Sequence, residues 1–152
     1  PDYFSADGQR CALDVARFHV QQHPDQASAA APLLIQCVQA GDPDVRLGVL
    51  MALSGIRSPS GVPGVIACLG DADRRVRAMA VDVLGELGDP RAVAKLIDLL
   101  GHTDEALARQ AELSLERITR YVPEAPASGK PADYAPAWKA WQEKGVREIG
   151  SP

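Results

Sequence analysis

A chain of 152 residues, 46% apolar and 24% charged, has the size and composition of one globular domain able to bury a substantial core. Its net charge of -4 supplies no global positive field to gather phosphates, which disfavours nucleic acid as a partner. No apolar run approaches the roughly 20 residues of a membrane span, and the opening residues lack the pattern of a signal peptide, so a soluble, cytoplasmic protein with no membrane association is expected.

Aromatic residues are only 5% of the chain, and Ala, Leu and Val dominate, which suits closely spaced helices. The chain opens on Pro rather than Met, as a processed product or an excised domain would, and a removed targeting segment fits the same observation. Three cysteines are an odd number, without a CxxC pair or a His at metal-ligand spacing. A reducing compartment is their natural home.

Residues 1–30 are expected to form an N-terminal capping helix and loop. Residues 1–10 carry little pattern. From 10 to 22 the apolar residues Leu13, Val15, Ala16, Phe18 and Val20 fit a helix, which His23-Pro24 ends. His19 and His23 share one face of it, but no carboxylate or Cys nearby completes a metal shell, so no metal is expected. Cys11 has no assignable role, and residues 24–30 read as a loop.

Three similar units then follow, at 31–57, 61–88 and 89–119. The stripe Val45, Val49, Leu53, Ile56 recurs 31 residues later as Val76, Ala80, Leu84, Leu87, and again as Leu107, Ala111, Leu115, Ile118. Steps of four, four and three make each set one side of an α-helix. Ahead of each lies a shorter matching set: Ile35 and Val38, Ile66 and Leu69, Ile97 and Leu100. Asp42, Asp73 and Asp104 stand between the sets, each placed to cap the second helix of its unit. Pro32 is expected at the start of the first helix in the first unit and Pro63 in the second, while Asp89-Pro90 opens the third. Such a period is the mark of a solenoid, whose units bury their apolar faces only against one another. Cys37 and Cys68 are also 31 apart, equivalent core positions too far separated for a disulfide. Arg46 and Arg77 follow the first core valine in matching places and are expected to reach an Asp of the adjacent unit, a ladder that Ala108 leaves incomplete.

Residues 120–132, with three prolines and a glycine, form a connector. A C-terminal capping segment, 133–152, carries a short helix from Tyr134 to about Lys144, stopped by Gly145. Trp138 and Trp141 lie on one side of it and cover the open end of the third unit.

Asp-x-x-Val-Arg followed by Ala and Leu, together with Leu-Gly-x-Leu-Gly-Asp-Pro-Arg-Ala-Val at 84–93, resembles HEAT-like repeats of the short-period type also seen in phycobilisome lyases. The resemblance covers about residues 31–119 and is weakest in the first unit, where Ser58-Pro59-Ser60 replaces Asp-Pro-Arg. It implies an all-α, right-handed α-solenoid of about three helix pairs, whose concave side, lined by the second helices, binds proteins. The HEAT-like hydroxylases carry repeated His-Glu pairs, and none occurs here. The HEAT-like glycosylases have a basic groove, unlike this acidic chain. A non-enzymatic scaffold or adaptor with a protein or peptide partner, no cofactor and no catalytic residues is therefore expected, as a monomer or a domain of a larger chain. A bilin-lyase-like or other HEAT-like enzyme, or a nucleic-acid-binding protein, is the alternative.

Residues two, six and nine positions after the first core member of each second helix point about 180° from the core. These are Leu47, Met51 and Ser54, then Ala78, Asp82 and Gly85, then Arg109, Leu113 and Glu116. Leu50 is expected to join Leu47 and Met51 in an apolar patch on this side.

Overall fold

Short helices joined by five- or six-residue turns, with a longer connector before the last, must pack against their sequence neighbours, and they do so in a computed structural model that describes residue 14 and residues 27–39, 41–124, 126 and 128–149. Seven α-helices occur among the described residues, and no strand: α1 Ala27–Cys37, α2 Pro43–Ile56, α3 Val62–Ala67, α4 Arg74–Leu87, α5 Val93–Leu99, α6 Glu105–Thr119 and α7 Pro131–Ile149. Single 3-10 turns, Pro59–Gly61 and Pro90–Ala92, lead into α3 and α5. The pairs are α1 with α2, α3 with α4 and α5 with α6, and the second helices α2, α4 and α6 pack successively on one another. This is an α-solenoid. The expected N-terminal helix, with His19, His23 and Cys11, lies outside the described residues.

The three turns between paired helices are built alike. Asp42, Asp73 and Asp104 have extended backbones, and their carboxylates accept from the N–H groups of Asp44, Arg75 and Leu107 at 2.9, 2.8 and 3.3 Å. Each satisfies a donor that the first turn of a helix leaves unpaired. The second helices end on residues in the left-handed region, Arg57, Gly88 and Arg120, with φ of 51°, 68° and 57°. Between those ends the recurring stripes form the core: Val45, Val49, Leu53, Val76, Ala80, Leu84, Leu107, Ala111 and Leu115 are each at most 3% exposed. Ile56, Leu87 and Ile118, the last of each stripe, are partly buried against them.

Two element boundaries differ from expectation. Pro32 lies inside α1, because the run Ala27–Ala31 consists of small residues that carry the helix through a proline at the cost of one backbone hydrogen bond. α7 starts at Pro131, a residue suited to a first helical position, and continues through Gly145 to Ile149 over 19 residues. Gly145 weakens a helix without ending it when no other signal coincides.

α7 packs on the last pair, α5 and α6. Trp138 is fully buried there. Its ring meets Tyr121 edge-on at 5.3 Å between centroids, and Trp141 stacks on the same tyrosine at 6.0 Å. The two tryptophans thus clamp the residue at which the chain leaves α6.

Candidate functional site

The second helices, which pack successively on one another, each have an outward side opposite their core stripe. On α2 it carries Met51, 52% exposed, with Leu47 partly buried at its edge. On α4 it carries Ala78 and Asp82, both partly exposed. On α6 it carries Arg109 and Leu113, each 53% exposed, and the partly exposed Glu116. Met51, Asp82 and Leu113 are the same position in successive units and form one row. A solvated helix face is ordinarily polar, so two large apolar side chains in one row stand out.

Two residues expected near this side are elsewhere. Leu50 is fully buried and belongs to the core. It is the counterpart of Val81 and Glu112, on the flank of each second helix turned toward the following unit, so helix packing covers it. Gly85 is likewise buried: a β-carbon there would stand 2.7 Å from the Oγ of Ser114, which donates to the carbonyl of Val81 at 3.0 Å. The helices α4 and α6 come close enough at this point to exclude a side chain.

Ion pairs tie the units together beside this side. Arg46 forms two bonds to Asp71, Nε to Oδ2 at 2.7 Å and Nη2 to Oδ1 at 2.8 Å, in a pair 13% and 10% exposed. Burial works against ionisation of Asp71, but Arg46 and the N–H of Asp73 outweigh it and hold its pKa below the usual value. Arg74 reaches Asp104 of the next unit at 2.7 Å, and Arg75 reaches Asp44 of the previous one at 3.1 Å. Arg91 donates to the carbonyl of Pro59 at 2.6 Å, and Ser54 bonds to Glu86.

The expected ladder therefore exists with different rungs. Arg46 crosses to Asp71, but Arg77 turns back onto its own turn, donating from Nη1 to the carbonyls of Asp71 and Ala72 at 2.7 and 3.0 Å. The reason is a substitution in the frame: the residue 31 positions after Asp71 is His102. His102 keeps the turn-forming role, its Nδ1 accepting from Asp104 N–H at 3.0 Å as Asp71 accepts from Asp73 at 2.8 Å. It offers no carboxylate, and the Nε of Arg77 is left buried without a partner.

The Arg46–Asp71 pair also floors a depression of about 250 Å³ lined by Val38, Gln39, Ala67 and Cys68. Burial pushes the Cys68 thiol up to about 11, so it is protonated at neutral pH and a poor nucleophile. Cys37, also a free thiol, is raised by the same cause. Among the described residues no group of three or more His, Cys, Asp or Glu side chains could hold a metal ion, and no helix is long and apolar enough to cross a membrane. Among the described residues the arrangement offers a shaped surface of mixed apolar and charged character.

A family model of HEAT repeats matches residues 30–116, the span from α1 to the last turn of α6. No curated protein matches the chain.

Proposed function

Because the chain belongs to the HEAT repeat family, whose members generally serve as protein-interaction scaffolds, we propose that it is a non-enzymatic adaptor holding a protein or peptide on the concave side formed by α2, α4 and α6. In this reading residues 31–119 are the binding array, and Leu47, Met51, Ala78, Asp82, Arg109, Leu113 and Glu116 line it. The observation that supports it is the pair Met51 and Leu113, each about half exposed at equivalent positions two units apart. Apolar area of this kind gains by being covered, at roughly 25 cal/mol per Å². Free thiols at Cys37 and Cys68 suit a reducing compartment such as the cytoplasm.

The test is affinity capture from the source cells with the natural chain and with a Met51→Asp, Leu113→Asp variant. Both substitutions fall on exposed positions, so the melting temperature is expected to change little. The variant should lose partners that the natural chain retains. Retention of the same proteins by both, with the variant folded, would rule this side out as the binding surface.

A further inference from the structure

The charges on the outward side are unevenly satisfied. Arg75 is held by Asp44 at 3.1 Å and by Asp73 at 3.0 Å, and Arg109 by Glu105 at 3.2 Å, so these cations are already matched within the chain. The carboxylates are not. Asp82 and Glu116 form no ion pair or side-chain hydrogen bond among the described residues, and Glu86 is held only by the neutral hydroxyl of Ser54. Glu112, 8% exposed on the adjoining flank of α6, has no hydrogen-bond partner among the described residues either, and its electrostatic neighbours Glu116 and Arg109 both belong to the outward side. Any partner that covers the row must desolvate Asp82, which is costly unless it brings a positive charge to that point.

The spacing of the row adds a second constraint. Neighbouring helix axes lie about 8–10 Å apart, so Met51, Asp82 and Leu113 present an apolar, an acidic and an apolar position at intervals of about 10 Å. Seven residues of α-helix advance about 10.5 Å and return to nearly the same side. Three residues of β-strand advance a similar distance but turn the middle side chain to the opposite side, and a polyproline II segment, which returns to the same side about every 9 Å, has no internal hydrogen bonds and must keep its backbone hydrated, whereas a helix satisfies its own. Resting on the reading of this side as the binding surface, we infer that its ligand is an amphipathic helix lying across α2, α4 and α6, with a Lys or Arg on Asp82 and an apolar residue seven positions to either side, on Met51 and Leu113.

The experiment uses two synthetic helical peptides that differ only at the central position. Each carries Leu, X, Leu at seven-residue intervals on an Ala/Gln background, with X as Lys or Glu. Fluorescence anisotropy would follow their binding to the natural chain, to Asp82→Lys and to Met51→Asp, Leu113→Asp, with circular dichroism confirming that each variant is folded. The natural chain is expected to prefer the Lys peptide by about tenfold, the scale of one charge-assisted contact, and Asp82→Lys to reverse the preference. Equal binding of the two peptides, a preference unchanged in Asp82→Lys, or binding of neither peptide would overturn the inference. Where the Met51 and Leu113 variant weakens both peptides without any charge preference, the binding surface stands and the cation selectivity falls. Binding that survives in that variant would overturn both.

Discussion

Gly85 shows how much a single side chain can decide. Alanine is the better helix former by about 1 kcal/mol, so propensity alone would make Gly85→Ala stabilising. Its β-carbon, however, would lie 2.7 Å from the Oγ and 3.2 Å from the Cα of Ser114, and backbone cannot move aside as a flexible side-chain tip can. The substitution is expected to destabilise by about 1–3 kcal/mol, read from the urea midpoint; a gain in stability would show that α4 and α6 separate freely. Glu112 gives a prediction of a different kind. Burial, with Glu116 adding to it and Arg109 opposing, raises its pKa in the folded chain above the ordinary value of about 4.3. The protonated form is therefore the one folding favours, and stability is lost as pH rises from the unfolded value through the folded one. Glu112→Gln should raise the melting temperature at pH 7 and change it little at pH 3.5. A variant destabilised at pH 7 would contradict this. Neither residue was legible in the sequence as a special position. Counting 100° per residue locates a side chain relative to its own helix core, but not relative to the helix crossing beside it, and so Gly85 and Leu50 were expected on the open side.

At the scale of turns and helices the 31-residue frame was legible almost completely, because capping aspartates and core stripes are local signals that recur. Its failures were local as well. Pro32 looked like a helix start, and the alanines before it carried the helix further back than proline rules suggest. The ladder partner Asp71 was missed in favour of the caps at Asp42, Asp73 and Asp104, since nothing in one sequence says which of two aspartates in a turn faces the arginine of the previous unit. The frame still suggests a repair. His102→Asp would keep the bond to Asp104 N–H, as Asp71 keeps its own to Asp73, and give Arg77 a carboxylate like the one that Arg46 grips. A gain of about 1 kcal/mol in thermal unfolding is expected, and no gain would mean that Arg77 cannot leave its own turn. The turn aspartates also predict a sign for acid: Asp71, Asp73, Asp89 and Asp104 are all held below their ordinary range. Their stabilisation is present above about pH 4 and is lost as pH falls through their folded values, which an acid titration followed by circular dichroism would show as falling stability.

Across the whole molecule one core runs through all three units, from Ala31 in α1 to Trp138 in α7. Leu84 sits in the middle of it and is fully buried. Leu84→Ala is expected to cost about 2–5 kcal/mol and lower the urea midpoint at an unchanged slope; a cost below about 0.5 kcal/mol would contradict the core assignment. The flank that carries Leu50 and Val81 carries Glu112 in the third unit. Ser114 touches α4, and two positions turn a helix by about 200°, so Glu112 points away from α4, to where a fourth unit would stack. α6 is also one residue longer than α2 and α4, which moves its left-handed end from the frame position 119 to 120. Charge and phase both close the count at three on this side. A duplicate of residues 58–88 placed after Gly88 therefore preserves every interval, whereas one appended after Arg120 meets a buried carboxylate and a helix out of step.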